Sequence, residues 1–329
     1  MRAVFYDRQG PPAEVLRLGD LPRPEPEPGE VRVRLLASGV NPADCKRRAG
    51  QGYGMEFPRV VPNSDGAGVV DALGPGADGA PPPGSRVWLY NAQRGRPFGT
   101  AAEFTCVPAD CVSPLPDDVP FDVGACLGIP AMTAHRCLFA DGPLTGLGVL
   151  VTGGGGAVGN YAVQFARWGG AALVLATAGA GWQAEDARDA GAHAVIDRRE
   201  DVAARVREAT DGRGVDRVVE VDFGGNAAVW SAVLANNGVV AAYASGGDPA
   251  PSIAFSTLMR RNIAVRTVML NNAPLASRRR AQADIVAWLR EAPRLHRIAG
   301  SFPLAETAAA HAAVEAGGKR GTVVVLPGE

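Results

Sequence analysis

The stretch VTGGGGAVGN, residues 151–160, decides the fold of this chain. The apolar run Val149–Thr152 leads into it as a strand, and Val158–Trp168 leads out of it with helical spacing. Between them stands Gly154-x-Gly156-x-x-Gly159. Glycines let such a turn take open backbone angles and let a pyrophosphate approach the main chain. The helix that follows offers unpaired N–H groups and a partial positive charge to the phosphates. A glycine-rich surface turn is the bland alternative, but the strand before and the helix after make this the pattern of a dinucleotide-binding turn.

Downstream, strands and helices alternate. Ala172–Thr177, Val195–Asp197, Asp216–Val221, Gly238–Tyr243 and Ile263–Met269 read as short strands. Trp182–Ala190, Asp201–Ala209, Ala227–Ala235 and Phe255–Arg260 read as the helices between them. That alternation implies a parallel sheet covered on both faces. Upstream the texture is different. Leu21–Gly29 is a proline-rich connector, and Val31, Val33 and Leu35 alternate with Arg32, Arg34 and Leu36 as in a half-buried strand. Val69–Leu73 and Arg86–Tyr90 read as further strands. From Ser277 the chain turns helical and closes on one strand, Thr322–Leu326, which fits better beside the first module than in the parallel sheet. The expectation is an α/β chain with a β-rich domain over residues 1–122 and 271–329, into which a doubly wound domain, residues 123–270, is inserted.

Bulk properties agree with two globular domains. The chain has 329 residues, 47% of them hydrophobic and 20% charged. A net charge of −1 argues against general affinity for nucleic acid or anionic membrane. No fixed-period repeat is present, and the start MRAVFYDRQG carries no long apolar run, so a secretory leader is not expected. No apolar stretch reaches the roughly 18 residues of a membrane span. The five cysteines, Cys45, Cys106, Cys111, Cys126 and Cys137, form no CxxC pair and read as reduced thiols, so the cytoplasm is the expected location.

The cofactor choice turns on the end of the second strand. NAD-binding sites usually place an acid there for the ribose hydroxyls. Here LATAGAGWQ, residues 175–183, has no acid before Glu185, which favours NADP. Arg198, just past the third strand, is a candidate to neutralise the 2′-phosphate; a solvated charge is the alternative.

Several segments together resemble the zeta-crystallin-type NADPH:quinone oxidoreductases, a zinc-independent branch of the medium-chain dehydrogenase/reductase superfamily. They are ASGVNPADCKRRAG (37–50), VPNSDGAGVV (61–70), GIPAMTAHR (128–136), VTGGGGAVGNYAVQFAR (151–167) and GKRGTVVVL (318–326). The resemblance runs nearly end to end. It implies a GroES-like catalytic domain, a Rossmann domain and a cleft between them. It implies that Asn41 and Thr133 line the nicotinamide end, that Tyr53 sits in the cleft, and that Gly155, Gly156, Ala157 and Val158 hold the pyrophosphate. Gly179 is then placed beside the adenosine ribose, and Tyr243, Ala244 and Ser245 under the nicotinamide ribose. Many relatives carry a serine and a further glycine where this chain has Gly155 and Ala157, and a lysine where it has Trp182-Gln183. The insert QRGRPFG, residues 93–99, replaces an expected short glycine-rich loop.

The same matching places Asn41, Ser64-Asp65 and Ile129 at positions where zinc alcohol dehydrogenases carry metal ligands, and no four-cysteine zinc loop is present. Zinc needs about four N, S or O ligands, so metal catalysis is not expected. The histidines His135, His193, His296 and His311 lack metal-motif spacing and read as surface or packing residues. The implied activity is hydride delivery from NADPH to a quinone, which needs positioning more than acid–base machinery. Asn41 and Tyr53 are the candidate catalytic residues, Tyr53 as a proton donor or as a ring packed on substrate. Reduction of enoyl or alkenal compounds on the same scaffold is the alternative, and a non-catalytic NADPH-binding protein the reading from another class. Relatives of this kind commonly pair through edge strands, so a homodimer or homotetramer built on Ile263–Met269 is expected.

Overall fold

The computed structural model describes residues 1–52, 54–291 and 294–328. Two compact units are present. One comprises Met1–Ile129, Gln282–Arg290 and His296–Glu329, the other Pro130–Ala281 and Glu291–Leu295.

The first unit is β-rich, as a GroES-like domain requires. Its strands are β1 Arg2–Phe5, β2 Arg17–Asp20, β3 Glu30–Val40, β4 Asp65–Leu73, β5 Arg86–Leu89, β6 Phe104–Pro108 and β7 Val112–Pro114. The second unit contributes β8 Gly148–Val151, β9 Leu173–Ala178, β10 Ala194–Asp197, β11 Val215–Glu220, β12 Leu234–Ala242 and β13 Ala264–Thr267, and the chain then returns for β14 Ile298–Pro303 and β15 Thr322–Leu326. The first unit's main sheet runs β14-β15-β3-β4-β5-β7, with β6 also on β3. The closing strand β15 lies antiparallel to β3, Val323 facing Val40. Val31, Val33 and Leu35 are buried as their alternation predicts. Arg32 departs from the pattern at 7% exposure. Its guanidinium is held by Asp71 at 2.6 Å and Glu25 at 2.7 Å, so the ion pairs, not solvent, satisfy the charge.

The second unit is a six-stranded sheet in the order β10-β9-β8-β11-β12-β13. Every pairing in it is parallel. Leu150, Leu175, Val218 and Val240 from its central strands are fully buried, the pattern of strands covered on both faces. The helix Ala157–Trp168 is buried nearly all round. Its polar residues Asn160 and Gln164 are paired with the main chain, Nδ2 of Asn160 to Asp186 O at 3.0 Å and Nε2 of Gln164 to Leu295 O at 2.9 Å.

Several boundaries differ from the sequence reading, two of them near the end of the parallel sheet. The helix expected to reach Ala235 ends at Val233, because β12 already begins at Leu234. The strand expected over Ile263–Met269 pairs only over Ala264–Thr267 and is followed by a tight turn at Leu270–Asn272.

Candidate dinucleotide and hydride-transfer site

Because the second sheet is parallel, the loops after β8, β9, β10 and β12 all leave its carboxyl edge. The strand order reverses at β8, which is where α/β sheets open a crevice for ligands. The glycine turn follows β8. Gly153 takes φ 69°, a conformation that favours glycine. Its N–H is received by Thr177 Oγ1 at 3.1 Å, and the Gly154 N–H by Thr177 O at 2.8 Å, which fastens the turn to the neighbouring strand end. The helix starts after Gly156 with no side-chain cap, and its first main-chain bond runs from Asn160 N–H to Gly156 O at 2.8 Å. The N–H groups of Ala157, Val158 and Gly159 precede that bond and so have no acceptor within the helix.

The glycines of the turn are not equivalent. A Cβ on Gly156 would meet only Gly153 O, at 3.3 Å, so this side of the turn is open. A Cβ on Gly159 would stand 2.1 Å from Gly153 O, on Gly154 2.7 Å from the Ala176 methyl, and on Gly155 2.5 Å from Gln183 O. Gly155 is thus filled by the next helix, where a serine could not enter without displacing it.

Gly179 follows β9, and its N–H is held by Gln183 Oε1 at 3.0 Å. Arg198 follows β10; its N–H reaches Ala178 O at 2.9 Å, which sets it beside the end of β9 with its side chain exposed. Its neighbour Arg199 is engaged with Asp197 at 2.6 Å, and that contact holds the Asp197 carboxyl down to about 2. Tyr243, Ala244 and Ser245 follow β12. Tyr243 N–H donates to Glu220 O at 3.1 Å, Ala244 O accepts from Phe223 N–H at 2.9 Å, and Ser245 Oγ accepts from Gly224 N–H at 3.0 Å. Burial raises the Tyr243 phenol well above its ordinary value. Thr133 is buried on the helix Met132–Phe139, which packs against the helix Ala157–Trp168.

Sequence reasoning passed over Glu220, which ends β11 fully buried. Its Oε1 accepts from Thr152 Oγ1 at 2.9 Å, Asp222 N–H at 2.6 Å and Asn226 Nδ2 at 2.7 Å. Burial raises its carboxyl above the usual range. One acid therefore ties the ends of β8 and β11 to the start of the next helix. The signal available was an acid closing the apolar run VVE.

Asn41 belongs to the first unit. It precedes the helix Pro42–Ala49 and is buried. Its N–H donates to Asp44 Oδ2 at 2.9 Å, and its Nδ2 to Asp65 Oδ2 at 2.8 Å. Asp44 Oδ1 accepts from Ser64 Oγ at 2.7 Å. Burial raises both carboxyls, and for Asp65 the neighbouring Asp44 adds to the effect. Tyr53 lies outside the described residues. The insert at 93–99 is tied inward by Gln93 Nε2 to Val61 O at 3.0 Å, while Pro97 and Phe98 line an apolar recess with Leu21, Pro22 and Phe57. Of the histidines, His135 packs on Phe139 with ring centroids 4.6 Å apart, and His311 is fully buried.

The second unit therefore collects Gly155–Val158, Gly179, Arg198 and Tyr243–Ser245 along one sheet edge. The residues fit a dinucleotide: an open face at Gly156, free N–H groups beside it, no acid between Ala178 and Glu185, and an exposed guanidinium at the adjacent strand end. Among the described residues, no group of three or more His, Cys, Asp or Glu could hold a metal ion.

Comparison with known proteins bears on the same features. Residues 27–117 match the alcohol dehydrogenase GroES-like domain, and residues 157–290 match the zinc-binding dehydrogenase family. A quinone oxidoreductase from Lama guanicoe is 30% identical over 337 residues, covering 99% of this chain and 97% of that protein. A mycobacterial protein solved in complex with NADPH has a TM-score of 0.85 and 31% identity, covering 99% of this chain and all of the other. A 2-haloacrylate reductase has a TM-score of 0.85 and 26% identity, with both chains covered in full. With full-length similarity to quinone oxidoreductases and both domain matches in place, the chain belongs to the quinone oxidoreductase family of the medium-chain dehydrogenase/reductase superfamily.

Proposed function

We propose that this chain is an NADPH-dependent reductase that delivers hydride to quinones. The observation that carries the reading is the open face over Gly156, beside the uncapped start of the helix Ala157–Trp168. A pyrophosphate set there receives main-chain N–H groups and the positive end of the helix. In this reading residues 123–270 hold the nucleotide, and residues 1–122 with 271–329 form the catalytic domain. Gly155, Gly156, Ala157 and Val158 cradle the pyrophosphate, Gly179 borders the adenosine ribose, and Arg198 meets the 2′-phosphate. Tyr243, Ala244 and Ser245 pass under the nicotinamide ribose, and Asn41 and Thr133 line the nicotinamide end.

The reduced nicotinamide supplies hydride when bound. The chain's own residues orient it and exclude competing geometry. A quinone that gains hydride becomes a hydroquinone anion, and water completes it with a proton. The similarity to a 2-haloacrylate reductase favours a second reading, reduction of a conjugated double bond. That reaction gains more from a protein acid, and Tyr53 is its candidate. No helix among the described residues is long and apolar enough to cross a membrane. The five cysteines are buried and form no CxxC pair, which supports placing the protein in the cytoplasm. A homodimer or dimer of dimers through the β13 edge completes the reading.

The test is NADPH oxidation measured in parallel with 1,4-benzoquinone, crotonyl-CoA and 2-alkenals. The largest kcat/KM is expected with the quinone; a larger value with either conjugated carbonyl substrate selects the second reading. Fluorescence titration should give tighter binding of NADPH than NADH, and Arg198→Ala should weaken NADPH alone.

A further inference from the structure

Asn41, Ser64-Asp65 and Ile129 stand where zinc relatives place metal ligands, and a single oxygen still draws three of these segments together. Asp65 Oδ2 accepts from Asn41 Nδ2 at 2.8 Å and from Ile129 N–H at 2.7 Å. The Ile129 N–H is available because Leu127–Ala131 forms a wide π-type turn with Pro130 inside it. The backbone is shaped around the carboxylate: a Cβ on Gly128 would lie 2.1 Å from Asp65 Oδ1.

The Asp65 main chain is anchored as well. Its carbonyl accepts from Thr100 Oγ1 at 2.7 Å, and Thr100 in turn meets Ser38 Oγ at 2.7 Å. Ser38 accepts from Asn63 Nδ2 at 3.0 Å, and Asn63 Oδ1 meets His311 Nε2 at 2.9 Å. All five side chains of this relay and its end are buried.

Asp65 is fully buried, and its Oδ1 has no partner. A buried carboxyl with an unpaired oxygen costs stability, and apolar packing could join the same segments at less cost. An apolar side chain, however, cannot select one end of a carboxamide. An acceptor can: it commits Nδ2 of Asn41 toward itself and so fixes the way the amide faces. We infer that Asp65 is the positioning residue of this active site, holding with hydrogen bonds the segments that a metal joins in the zinc relatives and orienting the Asn41 carboxamide for the nicotinamide. This rests on the reading of Asn41 as the cofactor-facing residue.

The test compares Asp65→Leu, Asp65→Asn and Gly128→Ala, each alone and on Asn41→Ala, with NADPH and 1,4-benzoquinone. Asp65→Leu removes the acceptor and keeps the branched side-chain shape, Asp65→Asn keeps an acceptor oxygen, and Gly128→Ala displaces the carboxyl without removing it. Misplacement of a reacting group costs up to about a hundredfold in rate, so Asp65→Leu should lower kcat by roughly ten- to a hundredfold while the quinone KM stays. The primary deuterium isotope effect with 4-deuterated NADPH should rise, and Asp65→Asn should recover most of the loss. If Asp65→Leu does not fold, Gly128→Ala carries the same expectation. On Asn41→Ala, neither substitution should lower kcat further, because residues acting through one another are not additive. An undiminished further loss on that background overturns the inference and leaves Asp65 a scaffold residue. Should Asn41→Ala itself keep the parental kcat, the role assigned to Asn41 is wrong, and the inference falls with it.

Discussion

Gly156 and Gly159 lie three positions apart and are asked for different things. Valine at Gly156 enters open space and meets only Gly153 O, 3.3 Å from its Cβ. Its φ of −82° suits any residue, and Gly156 makes no side-chain cap bond that valine would remove. The fold should persist while NADPH binding is lost, because the branched side chain takes the room of a phosphate. Valine at Gly159 places its Cβ 2.1 Å from the same carbonyl, and overpacking of this kind costs about 1–3 kcal/mol. Calorimetric titration with NADPH beside thermal melts separates the two, and parental binding by Gly156→Val would remove the main support for the proposed function. The motif made both glycines legible, but not Gly153, whose need for glycine comes from a backbone angle that no spacing rule reports. His311 was equally hidden, since a lone histidine on an alanine-rich helix has no pattern. Burial pushes its imidazole from 6.5 down to about 3. The folded state therefore refuses a proton that the unfolded chain accepts, and stability falls as pH drops from 6.5 toward 3. Asp44 and Asp65, raised by burial, contribute in the opposite direction, their share being lost as pH rises through their folded-state values. His311→Gln should flatten the acid limb of a plot of melting temperature against pH; parallel curves for variant and parent would sink the assignment.

Strand β13 is paired with β12 on one side only. The helix that precedes it, Phe255–Arg261, exposes Phe255 at 73% and Met259 at 59%, and Val265 and Met269 stand 43% and 56% exposed. An unpaired edge with apolar neighbours on one element pair is a surface that proteins usually cover. The protein is expected to be a dimer or a dimer of dimers in solution, and Val265→Asp with Met269→Asp should yield monomers. Light scattering at micromolar concentration decides it, a monomeric parent being the contrary result. The elements of the parallel sheet were readable because their apolar runs and helical spacing alternate cleanly. The first unit was less so. Strands β6, β7 and β14 end in Pro108, Pro114 and Pro303, which read as breaks, and β1 and β2 pair across a short helix at Pro12–Val15 that interrupts the pattern. The burial of Arg32 could not be read either, since it depends on Asp71 arriving from a neighbouring strand.

Among the described residues, no group of three or more His, Cys, Asp or Glu is placed to hold a zinc ion. Zinc takes about four N, S or O ligands, with cysteine bound as thiolate. Cys45, Cys106, Cys126 and Cys137 are buried, and burial pushes each thiol up to about 12, so they stay protonated at neutral pH. At the positions matched to the zinc relatives the Ser64 hydroxyl donates to Asp44, Asn41 Nδ2 donates to Asp65, and the Ile129 side chain carries no ligand atom while its N–H donates to Asp65. Asp65 Oδ1 is the one buried oxygen left over there, and one oxygen does not make a tetrahedral site. His311, buried in the same unit, has its Nε2 engaged with Asn63, and the one ring nitrogen left over makes no tetrahedral site either. Purified protein should therefore contain no stoichiometric zinc, and NADPH oxidation with 1,4-benzoquinone should survive EDTA at full rate. One zinc per chain by elemental analysis, or activity that EDTA abolishes and zinc restores, would refute this. A zinc held at this place would take the unpaired Asp65 Oδ1, so the same measurement bears on how the proposed hydride-transfer end of the site is held together.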